Sequence, residues 1–222
     1  MTVALCLVQG IRIHGTETRS DGNDIGGSPM TAHTIEFPKD HCFHANTNEW
    51  VYFSGVVETG EGQEFGVMFT IFQFSGFGGG FTYSSMLGIS DPEISKFYSA
   101  RMNAHTGTVG STPDGLPAIE AGTSQFIWKS PDNLHIASSV KTSDMTDIAV
   151  EMDMTPTRDV LLHGEDGWIP MGDGIPSGYS SLTNLLPTNG TLRIGERQYT
   201  IVGGRMWMDR QCVVNLSSSR QR

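Results

Sequence analysis

The chain has 222 residues and a formal net charge of −10, with Lys+Arg 14 against Asp+Glu 24; such an acidic surface repels nucleic-acid phosphates and anionic membranes. That length carries one large β domain whose core needs no disulfide or metal, and a single domain is the simpler reading. Only 17% of residues are charged while 27 are Gly, a balance that fits short strands with many turns better than long solvated helices.

Residues 1–13 hold an apolar run with no basic residue ahead of it and no clear small-residue cleavage site, so no signal peptide is expected. The polar, Gly-rich sequence that follows makes residues 1–34 read as a flexible leader. Residues 37–74 organise the rest. Residues 50–57 and 65–74 are aromatic and β-branched, and Thr59-Gly60-Glu61-Gly62-Gln63 between them supplies a hairpin turn. In the second strand Phe65, Val67, Phe69 and Ile71 share one face, and Met68, Phe72 and Phe74 share the other. Both faces are therefore apolar, and both are expected to be covered, one by a core and one by another layer or an apolar ligand.

Gly78-Gly79-Gly80 opens residues 81–90, a third strand that ends at Asp91-Pro92, and residues 94–102 continue the meander. Residues 103–123 are Gly, Thr, Pro and Ala with little period, and read as a long loop over the mouth of a cavity. Residues 124–129, 134–140 and 147–154 are three more strands. The last alternates Ile148, Val150, Met152 and Met154 against Ala149, Glu151 and Asp153, so one of its faces is wet. Residues 179–186, 190–194 and 199–202 read as three short strands, with Leu186-Pro187-Thr188-Asn189-Gly190 and Ile194-Gly195-Glu196-Arg197 as turns. Met206-Trp207-Met208-Asp209 is the last organised piece. The expected organisation is a single β domain over residues 35–212, followed by a disordered tail over 213–222. Many short strands without helical period specify an all-β class, an antiparallel barrel or a strongly curved sheet or sandwich. No stretch has the length of a membrane span.

Chemistry-bearing clusters are few. Cys6, Cys42 and Cys212 are an odd, scattered set, which suits a reducing, cytoplasmic compartment. His41, Cys42 and His44 lack a fourth ligand at a zinc spacing, so no metal is expected there. The three glycines at 78–80 precede no helix start, and Ser180-Ser181 lacks a strand-to-helix nucleophile elbow, so neither a phosphate cradle nor a serine hydrolase is supported. No cofactor is expected.

Asn48-Glu49-Trp50-Val51-Tyr52-Phe53-Ser54-Gly55 resembles the EWWY-x-x-G signature of the CrtC/AttH lipocalin-like family, the hydroxyneurosporene synthase and carotenoid hydratase relatives. Phe65-Gly66, Ile89-Ser90-Asp91, Leu161-Leu162-His163-Gly164 and Gly204-Arg205-Met206-Trp207-Met208-Asp209 follow in that family's order, and the resemblance covers residues 37–211. Three of its motifs depart from the pattern. Val51 replaces a tryptophan, Met86 a common histidine, and Asp209-Arg210-Gln211-Cys212 replaces D-H-E-W. Relatives normally carry a second lipocalin-like domain, so this chain reads as a truncated or divergent first domain.

The resemblance implies a barrel that binds an extended apolar molecule, isoprenoid- or polyketide-like, and hydrates or cyclises it. Such chemistry needs a proton donor in an apolar wall and aromatic faces near the developing cation. Asp209 is the candidate acid, and Trp50, Tyr52, Phe69, Tyr179 and Trp207 are the candidate ligand-binding lining. The plainer alternatives stay open: Asp209 accepting backbone N–H bonds at a strand end, the aromatics packing as core, and the whole barrel acting as a non-catalytic lipid carrier. Exposed edge strands leave a homodimer open as well.

Overall fold

The hairpin expected at residues 50–74 is present and extends beyond its apolar runs, in a computed structural model that describes residues 14–17, 34–44, 47–75, 80–104, 107–171 and 175–214. The strands are β1 (His14–Glu17), β2 (Thr47–Thr59), β3 (Glu64–Ser75), β4 (Phe81–Asp91), β5 (Lys96–Ala104), β6 (Gly107–Ser111), β7 (Pro117–Ala121), β8 (Ser124–Ser130), β9 (Asn133–Lys141), β10 (Asp147–Pro156), β11 (Leu161–Leu162), β12 (Trp168–Met171), β13 (Ile175–Ile194) and β14 (Arg197–Val214). Adjacent strands pair antiparallel in the order β1-β6-β7-β8-β9-β10-β13-β14-β2-β3-β4-β5, with β11 and β12 alongside the first half of β13. The sheet curls into a nearly closed lipocalin-like barrel.

Local chemistry sets the tight turns. Gly62 takes φ 81° between β2 and β3, where Thr59 N–H donates to Gln63 O at 2.9 Å. Most of the core follows from period two. On β2 and β3, Val51, Phe53, Phe65, Phe69 and Ile71 are no more than 1% exposed and all face inward. The ring of Phe53 lies 5.9 Å from Phe69 and 5.5 Å from Phe126, so the middle of the barrel is filled by its own side chains. The expected open apolar interior is corrected at this level.

Three other expectations change. Residues 103–123 are not a long loop, because Gly107–Ser111 and Pro117–Ala121 pair with each other as β6 and β7. The segment 186–190 is not a turn but the middle of the 20-residue β13, which bulges at Thr188 between Pro187, opposite Met154, and Asn189, opposite Asp153. Residues 199–202 and 206–209 are likewise parts of one strand, β14, with its own irregularity between Ile201 and Gly203 against β2. His14–Glu17, inside the expected leader, pairs with β6; the rest of residues 1–33 and residues 215–222 lie outside the described residues. Among the described residues no helix is long and apolar enough to cross a membrane.

Candidate active site

Strand alternation decides where the expected site residues go. Along β14, Met206, Met208 and Arg210 are 1%, 0% and 2% exposed and face inward, which leaves Trp207 and Asp209 on the outer face. On β2, Glu49, Val51 and Phe53 face inward, and Trp50 and Tyr52 lie half-buried outside. Tyr179 is half-buried on the same outer face of β13. Register then gathers them: Asp209 sits opposite Tyr52 on one side and Ser181 on the other, and Gln211 sits opposite both Trp50 and Tyr179.

The structure thus brings Asp209, Trp50, Tyr52, Tyr179 and Trp207 into one patch on three neighbouring strands. It does so on the outside of the barrel, which corrects the expectation of a carboxylate turned into a dry interior. Asp209 is flanked in sequence by buried residues, but its neighbours at ±1 point the other way. Phe69 does not join the patch. It is fully buried in the Phe53 ring cluster and occupies a core position instead of a lining one.

Three donors converge on the Asp209 carboxyl group. Trp207 Nε1–H donates to Oδ1 at 2.6 Å, Tyr179 O–H donates to Oδ2 at 3.1 Å, and Ser181 O–H donates to Oδ1. Burial first, and the neighbouring Asp209 charge second, push the Tyr179 phenol above its ordinary value and keep it a donor. Behind Ser181 stands His163, with Nε2 at 2.7 Å from the Ser181 hydroxyl and its ring stacked 4.0 Å from that of Tyr179. With Ser181 donating to Asp209, its oxygen accepts from His163 Nε2–H, so an imidazole, a hydroxyl and a carboxylate form one hydrogen-bonded line.

His163 and Ser181 were not among the expected site residues. Ser181 was legible, because it lies two residues from Tyr179 on the same face of one strand. His163 was not, since a turn delivers it: His163 N–H donates to Tyr179 O at 3.1 Å, and Gly164 takes φ 68° where a Cβ would stand 2.3 Å from Trp168 O.

A second polar group lies inside the barrel. Glu49 and Arg210, 0% and 2% exposed, form an ion pair, and Arg210 Nη2 also donates to Cys42 O at 2.9 Å. His44 bridges Glu49 Oε1 at 2.9 Å and Asp40 Oδ1 at 2.7 Å. Burial opposes charge on both His44 and Asp40, yet their mutual hydrogen bond and further polar contacts prevail, raising the imidazole pKa and lowering the carboxyl pKa. His41, Cys42 and His44 have separate partners: His41 stacks on Trp128, and Cys42 Sγ–H donates to Gly110 O at 3.4 Å. Among the described residues no group of three or more His, Cys, Asp or Glu side chains is placed to hold a metal ion.

A family model described as AttH-like matches residues 28–222. The chain belongs to the AttH-like family. A Nitrosomonas europaea protein described as AttH has a solved structure that superposes with a TM-score of 0.67 at 21% identity, over 86% of this chain and 59% of that one. Kievitone hydratase from Nectria haematococca superposes with a TM-score of 0.61 at 13% identity, over 82% of this chain and 53% of that one. These likenesses establish the barrel, and the chain spans little more than half the length of either protein. A comparison with curated protein sequences finds no match. Within this AttH-like chain, Arg210 fills the position after the motif aspartate by pairing with Glu49.

Proposed function

We propose that the protein is a hydratase-like enzyme that binds an apolar isoprenoid- or polyketide-like molecule against the outer patch and adds water to it, or cyclises it, with Asp209 as the acid–base group. One observation carries the reading: a half-buried carboxyl group receives Trp207, Tyr179 and Ser181 and is joined through Ser181 to His163. A proton reaching His163 passes along that line to Asp209, which gives it to an alkene carbon of the substrate. Water then captures the cation, or an internal double bond does in cyclisation, and the proton released returns to Asp209. The faces of Trp207, Tyr52 and Trp50 stabilise the cation through their ring quadrupoles. Trp207 is 36% exposed, so the substrate's own apolar body, lying across it, keeps bulk water from the cation.

The kievitone hydratase likeness supports a hydration reaction, and the family membership supports the barrel that frames it. The test is incubation with a panel of prenylated phenols and open-chain isoprenoids, followed by product mass analysis. A product heavier by one water, or an isomer of equal mass, is expected from the wild type and not from Asp209→Asn, with ligand affinity nearly unchanged. Equal turnover in that variant removes the mechanism. Ligand that binds and returns unaltered from the wild type establishes the carrier reading in its place.

A further inference from the structure

A cleft of about 470 Å³ lies away from Asp209, between Phe37–His41, the β8–β9 turn and the segment after β10. That volume is within the range of small-molecule sites. Leu182 of β13 lines it from the face of the strand opposite Ser181 and the Asp209 patch. Its aromatic wall is a run of rings, with Phe37 4.3 Å from His41 and His41 stacked 4.7 Å from Trp128 at an interplanar angle of 21°.

Two ring nitrogens in this wall have no partner. His41 and Trp128 are 2% and 4% exposed, and His41 Nδ1 and Trp128 Nε1 are buried without a hydrogen bond. Orphaned polar atoms of this kind are rare in folded chains, because each forfeits the water it had in the unfolded state. Nine such side-chain atoms occur among the described residues, and these two are set apart by lying on stacked neighbouring rings that line one cleft, where a shift of the rings opens both nitrogens to an occupant. Elsewhere the fold satisfies the same segment closely. Asp40 N–H donates to Glu36 O at 2.8 Å, His41 N–H to Pro38 O at 3.0 Å, and Arg210 to Cys42 O at 2.9 Å, so His41 is held on a fixed backbone.

The chemistry of the wall selects the occupant. Burial first, and the Arg210 charge second, hold the His41 imidazole pKa down at about 3, so the ring is neutral and offers one N–H and one lone pair. Trp128 offers only an N–H. A hydroxyl answers both types, since it accepts from an indole and donates to an imidazole. Around the rim Asp132 and Asp159 outnumber Arg158, which disfavours an anion.

We propose that this cleft binds an uncharged aromatic alcohol or phenol, its ring against Phe37, His41 and Trp128 and its hydroxyl on the unpaired ring nitrogens. The site is independent of Asp209. The probe is 2-naphthol, with naphthalene and 2-naphthoate as controls, titrated calorimetrically and followed by the indole N–H resonances in NMR. Saturable binding of one 2-naphthol per chain is expected, tighter than naphthalene by about five- to tenfold, the ratio one net hydrogen bond sustains. The Trp128 N–H resonance is expected to move with 2-naphthol and not with naphthalene, and 2-naphthoate is expected to bind least. Trp128→Phe keeps the wall and abolishes the preference for naphthol, whereas Asp209→Asn leaves it intact. Equal affinity for naphthol and naphthalene overturns the proposal, as does a shift confined to the Trp50 and Trp207 resonances. Should Trp128→Phe fail to fold, the wild-type resonance and the naphthol-to-naphthalene ratio decide the question alone.

Discussion

Arg210 and Glu49 meet inside the barrel wall across β14 and β2, on a diagonal two residues along from Cys212, which directly opposes Glu49. Both charges are out of water, so each depends on the other and on Thr47, His44 and the Cys42 carbonyl for its hydrogen bonds. Removing one partner strands a charge. Arg210→Met and Glu49→Gln are each expected to cost about 3–5 kcal/mol in urea denaturation. The pair Arg210→Met with Glu49→Gln is expected to cost less than the sum, because neither charge is then left without its partner. Strict additivity would show that the two side chains do not act together.

Stability should depend on pH through two histidines with opposite signs. The His44 pKa is raised above 6.5 by hydrogen bonds to Asp40 and Glu49, against burial and the Arg210 charge. Its contribution is therefore complete below 6.5 and lost as pH rises through the folded-state value. The His41 pKa falls from 6.5 to about 3 through burial and Arg210, with Asp40 opposing, so between those limits the unfolded chain binds more protons and stability is lost as the pH is lowered. The slope is up to about 1.4 kcal/mol per pH unit. His135, also lowered chiefly by burial and opposed by its bond to Asp153, acts with the same sign as His41. Melting temperature against pH is expected to peak near neutrality. His44→Gln removes its share of the alkaline fall, and His41→Phe flattens the acid limb; unchanged limbs would contradict this assignment.

The Asp209 patch separates proton delivery from binding. General acid–base groups contribute about 10²–10⁴-fold, so Asp209→Asn should lower kcat by that order with KM little changed. Ser181→Ala cuts the line to His163 and should remove one limb of the pH–rate profile while leaving the other. Steady-state kinetics across pH distinguishes this from a structural role, which would lower kcat and melting temperature together at every pH.

Phe53 touches the rings of both Phe69 and Phe126 and is fully buried. Phe53→Ala should cost about 3–5 kcal/mol, measured by chemical denaturation. A loss below 1 kcal/mol, on the order of a surface change, would mean the interior is looser than these ring contacts imply.

Gly204 follows the irregularity in β14 at φ 133°, where a Cβ would stand 2.2 Å from Val56 O. Gly204→Ala is expected to destabilise by at least about 1–3 kcal/mol, since both the dihedral and the neighbouring backbone must yield. Gly60→Ala, with only Val202 Cγ1 at 3.7 Å, is the matched control.

Apolar period and turn chemistry made the hairpin of β2 and β3 legible, along with β4, β8, β9 and β10. Gly107–Ser111 and Pro117–Ala121 escaped, because residues rich in Gly, Ala, Thr and Pro carry little strand period of their own, although the two segments pair as neighbours across residues 112–116. Pro187 suggested a turn because local signals cannot foresee a strand that runs on through a bulge at the next residue. In the candidate site, the spacing of Trp207 with Asp209 and of Trp50 with Tyr52 marked pairs that share a face, whereas His163 comes from a turn whose position depends on β13.

The sequence by itself determined how each strand divides into two faces, since alternate side chains must point opposite ways. Which face looks inward was decided only by tertiary structure. Met206 and Met208 on one side of β14 and Trp207 on the other are both apolar enough to be buried, so period two leaves the choice open. Pairing with β2 settles it: Glu49 and Arg210 neutralise each other inside, and Asp209, one residue along, is carried to the outer wall beside Tyr179, Ser181 and Trp207.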